Sequence, residues 1–253
     1  MPLTARVGSA SDTGLLRAAN EDRMTSSATL CAVADGMGGH AAGEIASQQA
    51  IAELEQLATG AAIQVADLDR AIARANQRLL ELGDQQRGYH GLGTTLTGIA
   101  LVDVAGREHW AVFNVGDSRV YRFADATLQQ LTVDHSVVQE LLDTGRISAD
   151  EARSHPRRNV VTRSLGTDPA PVADIEVYEP LPGERFLVCS DGLTNELIDA
   201  EIAQVLRAFP EPQHAADELV RRANQAGGRD NTTVIVLEAG IGEAPEAGRA
   251  TAS

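Results

Sequence analysis

Five aspartates hold the positions where this chain could do chemistry. Asp35 closes the apolar run TLCAVAD and stands before Gly36, Asp191 closes ERFLVCSD and stands before Gly192, and Asp117 closes HWAVFNVGD after Gly116. Asp230 precedes NTTVIVLE within GGRDNTT, and Asp22 lies in RAANED. A carboxylate at a strand end beside glycine can project into a shared crevice, because glycine lets backbone or ligand approach closely. Carboxylates gathered in this way repel one another unless cations lie between them. Hard oxygen donors select Mg²⁺ or Mn²⁺ over zinc, and no Cys/His cluster with zinc spacing competes. One Asp-Gly pair alone is most often a turn. Four aspartates at strand ends, in both halves of the chain, shift the balance toward a metal site, although spacing alone does not settle it.

Two other patterns point to different chemistry and fail on context. GMGGHA (36–41) matches a dinucleotide-binding glycine loop, with Glu55 about twenty residues on. Asp35 directly before the first glycine would push a carboxylate toward a pyrophosphate, and Glu55 sits mid-helix in AIAELEQLA instead of at a strand end. Neither cysteine opens a Cys-x5-Arg phosphatase loop, since Cys189 is followed by Ser-Asp-Gly-Leu-Thr-Asn. Cys31 and Cys189 sit in apolar runs and read as small buried hydrophobes.

The elements that must position the aspartates follow from pattern. Strands are expected at 29–35, 93–103, 109–117, 119–125, 184–191 and 231–238, with weaker candidates at 4–10 and 172–179. Helices are expected at 42–58, 64–87, 199–208 and 212–226; in the first, Ile45, Gln49, Ala52 and Leu57 exemplify the spacing. The strands 93–103, 109–117 and 119–125 are joined by short connections, which predicts three antiparallel neighbours. Helices come in pairs between groups of strands, which favours two packed sheets with helices outside. Residues 134–168 carry short amphipathic pieces, a His-Pro break and paired arginines, and read as a surface flap.

Length and composition bound the rest. A chain of 253 residues suits one large domain or two small ones. Aromatics are 3%, so the core must be built from Ala, Val, Leu and Ile. Acidic residues outnumber basic ones 36 to 21, every basic residue is arginine, and the net charge is −15. That balance disfavours nucleic acid as a partner. No apolar run reaches the roughly 18 residues of a membrane span, and MPLTARVGSASD lacks a signal-peptide core. The expectation is a cytoplasmic monomer with no membrane partner. AGIGEAPEAGRATAS reads as a loose tail, so the division expected is a domain over 1–238, with its flap at about 134–168, and a tail at 239–253.

Taken in order, SDTGLLRAANED, VADGMGGHAAGEIAS, GTTLT, VGDSRVY, LTVDHS, NVVTRSLG, CSDGLT and GGRDNTTVI form a set that resembles the successive motifs of the PP2C-type protein phosphatases. The likeness covers residues 4–238 and is nearest to the small bacterial members that oppose Hanks-type serine/threonine kinases. It implies an α+β fold, a four-layer α-β-β-α sandwich of two antiparallel sheets flanked by helix pairs. It implies hydrolysis of phosphoserine and phosphothreonine on proteins by metal-activated water, with two core Mn²⁺ or Mg²⁺ ions and a weaker third. By the same resemblance, Asp35 bridges the core ions and the Gly36 carbonyl binds one. Asp191 and Asp230 complete the other side, and Asp22 acts through water with Glu21 beside it. Asp117 shares the third ion with Asp191, and Arg17 grips the substrate phosphate. Asp35 and Asp191 thereby become catalytic.

The departing seryl oxygen needs a proton. Met37 stands where animal members carry a histidine directly after Asp-Gly, and His40 follows three residues later. His40 is the candidate acid, with a loop-fixing role or no role at all left open; His155 in the flap is a lesser candidate. The implied partners are phosphorylated proteins, including a kinase and its substrates. Competing readings are a regulatory phosphatase of an anti-sigma-antagonist partner, a non-catalytic pseudophosphatase, and a hydrolase of small phosphoesters. The full set of aspartates argues against the second, and the acidic surface and missing base-binding signature against the third.

Overall fold

The computed structural model describes residues 3–38, 41–59, 62–85, 91–181 and 183–241. In chain order the elements are β1 (Leu3–Asp12), β2 (Arg23–Ser26), β3 (Leu30–Ala34), β4 (Gly36–Met37), α1 (Ala41–Glu55), a 3-10 turn (Gln56–Thr59) and α2 (Val65–Gln85). Then come β5 (Gly93–Thr94), β6 (Leu96–Val104), β7 (Arg107–Val115), β8 (Arg119–Ala124), β9 (Thr127–Gln130), α3 (Val137–Asp143) and α4 (Ala149–Ser154). The chain ends with β10 (Asp174–Tyr178), β11 (Arg185–Cys189), α5 (Asp191–Thr194), α6 (Asp199–Ala208), α7 (Pro212–Ala226) and β12 (Thr232–Ile241).

Two five-stranded antiparallel sheets result, one ordered β1-β12-β11-β8-β9 and the other β10-β7-β6-β3-β2, with β4 and β5 forming a separate short ladder. The central strands are apolar on both faces because both faces are covered. In β3, Leu30, Ala32 and Ala34 face α1 and α2, while Cys31 and Val33 face the opposite sheet. In β11, Leu187 and Cys189 face α6 and α7, while Phe186 and Val188 turn inward. This is the strand period of two. It yields three apolar layers inside a helix–sheet–sheet–helix stack. Trp110 and Phe186 meet edge-on between the sheets, with ring centroids 5.7 Å apart.

Three expectations need correction. The run 93–103 is not one strand. It breaks at Thr95, whose N–H donates to the Asp35 carbonyl at 3.0 Å and whose hydroxyl accepts the Asp35 N–H at 2.9 Å. The strands 109–117 and 119–125 are not neighbours, since β7 pairs with β6 and β10, whereas β8 pairs with β11 and β9 in the other sheet. The crossing is made at Gly116, whose φ of +119° is open only to glycine and where a Cβ would fall 2.5 Å from Thr95 Cγ2. The buried face of α1 includes Ala42, Ala46, Ser47, Ala50, Ile51 and Leu54, with Ala52 exposed. Strands β2, β4 and β9 were not expected at all.

The stretch 134–168 contains α3 and α4, neither of which buries a residue. Ser136 caps α3, and Ser148 and Glu151 form a capping box on α4. Its return limb is held firmly. Leu165 is fully buried in the core beside Leu92 and Leu96, and Asn76 of α2 accepts the N–H groups of Gly166 and Thr167. Strand β12 runs through Ile241, pairing with β1 from Leu3↔Ile241 to Asp12↔Thr232.

Candidate active site

The strand registers bring the aspartates to one edge. Asp35 follows β3 and Asp22 precedes β2, which pairs with β3 through Arg23↔Ala34. Val115, at the end of β7, lies opposite Leu96, at the start of β6, so Asp117 leaves that sheet beside Thr95. In the other sheet Cys189↔Val234 and Cys189↔Arg119 align the end of β11 with the starts of β12 and β8. Asp191 and Asp230 therefore emerge together. Gly192 lets α5 dock here, since a Cβ would sit 2.0 Å from the Asn231 carbonyl oxygen. Asp35, Gly36, Asp117, Asp191, Asp230, Glu21 and Arg17 all line one cavity of about 420 Å³.

Asp22 lies beneath this cavity at 3% exposure. Ser190 donates its hydroxyl to Asp22 Oδ2 at 2.8 Å, while Oδ1 is buried without a partner. Burial, with the charges of Asp191 and Asp230, pushes the Asp22 carboxyl up to about 7 against the Ser190 and Thr233 hydroxyls. Burial also raises Asp35 well above the usual carboxylate range, and Asp22, Asp191, Asp117 and Asp230 add to the effect. Asp117 is raised by burial and then by Asp191 and Asp134; Asp191 is raised by burial and then by Asp230. Asp35, Asn195 and Arg17 act on Asp191 in the opposite direction.

The donor set fits a hard divalent cation. It is all oxygen, it includes an orphaned buried carboxylate oxygen, and its members destabilise one another as anions. Among the described residues, no three acidic, histidine or cysteine side chains already close on a single point. Mg²⁺ and Mn²⁺ sites do not require that, because such ions keep several waters and take only one or two carboxylates each.

Arg17 reaches Asp230 with its Nη2 at 2.5 Å from Oδ2, at 53% side-chain exposure. Its loop is pinned by Asn231, which donates to the carbonyls of Thr13 and Ala19 and accepts the N–H of Glu21. Asn231 carries no charge and was missed by sequence reasoning; its place directly after Asp230 was the available signal. His135 was missed too, although it lies in the motif LTVDHS. It is 7% exposed, its Nδ1 accepts the Gly116 N–H at 3.0 Å, and its Nε2–H then donates to Asp174 at 3.0 Å. The ring thus fixes the turn that carries Asp117. His155 ends α4, accepts the Arg157 N–H at 3.2 Å and does not line the cavity. His40 lies outside the described residues.

Comparison with known proteins agrees with this geometry. The family model for protein phosphatase 2C matches residues 18–227. The serine/threonine protein phosphatase PstP of Mycobacterium tuberculosis is 41% identical over 240 residues, which is 93% of this chain but 45% of that protein. The serine/threonine phosphatase stp of Listeria monocytogenes is 35% identical over 239 residues, 90% of this chain and 93% of its own length. Among solved structures, the catalytic domain of PstP in complex with two manganese ions superposes with a TM-score of 0.85 at 37% identity, covering 95% of this chain and all of that one. A phosphatase from Mycobacterium smegmatis in complex with cacodylate gives 0.81 at 40% identity, covering 94% and 98%. With a family model matched over residues 18–227 and relatives matched along nearly the whole of this chain, it belongs to the protein phosphatase 2C family.

Proposed function

We propose that the chain is a metal-dependent phosphatase that removes phosphate from serine and threonine side chains of proteins, in opposition to a Hanks-type kinase. The catalytic unit would run through Ile241, the end of β12, and not stop at residue 238 as expected, because residues 239–241 pair with β1. One observation carries the reading: carboxylates from both sheets converge on one cavity, over a buried Asp22 oxygen with no partner. The PstP structure in complex with two manganese ions supports Mn²⁺ as the cation, with Mg²⁺ the alternative. Asp35, the Gly36 carbonyl, Asp191 and Asp230 would hold two core ions, with Asp22 and Glu21 acting through water. Asp117 and Asp191 would hold a weaker third.

Bound there, the ions supply Lewis acidity that lowers the pKa of water and offsets phosphoryl charge. The chain's own groups set the geometry. Arg17 can exchange Asp230 for the substrate phosphate, presenting its planar fork to two oxygens. Asn231 holds the Arg17 loop and Asp230 in fixed relation, so substrate and ions are positioned by one clamp. Thr95 fixes the backbone of Asp35, and His135 fixes that of Gly116. A water attacking opposite the seryl oxygen breaks the P–O bond, and the departing oxygen takes a proton. His40 is the candidate donor.

The test is hydrolysis of a phosphothreonine peptide. Turnover should require Mn²⁺ or Mg²⁺ and stop with EDTA. Equal turnover in EDTA would overturn the metal-dependent reading.

A further inference from the structure

The distribution of unpaired arginine is uneven. The chain is strongly acidic, and wherever an arginine is described outside residues 146–158, it has an acceptor within the protein. Arg6, Arg17, Arg23, Arg70, Arg74, Arg78, Arg107, Arg119, Arg122, Arg163, Arg185, Arg221, Arg222 and Arg229 make ion pairs, and Arg207 donates to the Ala126 carbonyl. Among the described residues, the arginine side chains with no such partner are Arg146, Arg153, Arg157 and Arg158. All four lie on the flap. Among the described residues no ion pair joins them to the flap's own acids, of which Glu151 is bound to Ser148 and Asp143 to Gln139.

Two of the four border a second cavity. It has a volume of about 280 Å³, and its lining includes Arg153 and Arg158 with Asp117 and Asp191. Asp117 and Asp191 also line the first cavity, so the two spaces meet there. Of the charges facing the second cavity, Asp134 is already matched by a forked contact from Arg119. The Asp117 and Asp191 carboxylates stand at the shared border, where the proposed third cation would offset them. Arg153 and Arg158 are left with no internal match. Arg146 and Arg157 are free elsewhere on the flap and do not line this cavity. Arg153 and Arg158 instead border a hollow continuous with the reaction site.

We propose that this second cavity is a docking subsite for a second phosphorylated serine or threonine on the same substrate segment. Two guanidinium groups match a phosphate dianion in charge and in planar, forked geometry, where a carboxylate would offset only one. While one phosphorylated residue enters the first cavity, a neighbour along the chain enters the second. This rests on the phosphatase reading above and narrows its substrate class to multiply phosphorylated segments.

The experiment compares wild type with the double variant Arg153→Ala/Arg158→Ala, assayed with Mn²⁺. Substrates are an aryl phosphate, a singly phosphorylated threonine peptide, and peptides with a second phosphothreonine, or a glutamate, about two to five residues away on either side. Wild type should favour at least one doubly phosphorylated peptide over the single one by about tenfold or more in kcat/KM, mainly through KM. The double variant should lose that preference and keep its aryl phosphate turnover and melting temperature. No wild-type preference, or equal losses on single and double peptides, overturns the proposal. A glutamate peptide favoured as strongly as the doubly phosphorylated one also overturns it. Absence of wild-type turnover on every substrate would instead count against the phosphatase reading itself.

Discussion

The two oxygens of Asp22 live in different chemistry. One accepts from Ser190, and the other is buried without a partner, an arrangement that costs about 1–3 kcal/mol if left unmet. A cation edge supplies what is missing, directly or through water. Arg17 is held by Asp230; in the proposed reading a substrate phosphate would take that carboxylate's place. Arg17→Ala should therefore lower kcat/KM on a phosphothreonine peptide by about 10- to 100-fold, the loss of a charge-assisted fork. The Mn²⁺ activation midpoint should not rise, because Asp230 loses a competitor. Arg17→Lys should recover little, since an ammonium lacks the fork. An unchanged kcat/KM in the alanine variant would reduce Arg17 to a surface charge.

At the scale of elements, the Gly116–Asp117 crossing between sheets depends on a histidine. His135 offers Nδ1 to the buried Gly116 N–H and donates its Nε2–H to Asp174. His135→Phe keeps the bulk and removes the acceptor, so the Gly116 N–H is left unpaired. The variant should lose about 1–3 kcal/mol in urea unfolding and lose turnover as the Asp117 turn relaxes. Unchanged stability would mean that the turn is held by other contacts. The same crossing explains what sequence reasoning missed. The core strands and both helix pairs were legible from apolar period, and the acidic strand ends from their Asp-Gly punctuation. Adjacency in sequence suggested that β7 and β8 pair, but a glycine with positive φ sends the chain into the other sheet, which no local pattern announces. Strand β9 is TLQQ, an edge strand with no apolar alternation to mark it. The roles of His135 and Asn231 were missed for another reason: they act on backbone groups, and a side chain's backbone partner is fixed only by the fold.

For the molecule as a whole, the proposed metal site at the acidic edge should couple metal binding to stability. Asp22 and Asp35 adjoin strands of one sheet, and Asp191 and Asp230 adjoin strands of the other. Without cations the two sheets present carboxylates to each other; ions held as proposed would join them. Mn²⁺ at about 100 times its dissociation constant should add roughly 2.7 kcal/mol, or about 5–10 °C in melting temperature for a chain of this size. Asp191→Ala should abolish turnover, melt no lower than wild type in EDTA because a repelling charge is gone, and lose the Mn²⁺ shift. A wild-type melting temperature indifferent to Mn²⁺ would separate the acidic edge from metal binding. The ladder from Leu3↔Ile241 to Asp12↔Thr232 has a further consequence. Its inner end abuts the acidic edge, and its outer end brings Leu3 and Ile241 side by side at the opposite rim. A protein anchored to a bead or chip through either rim strand would hold its reaction mouth outward, so immobilised enzyme should remain open to substrates as large as folded proteins.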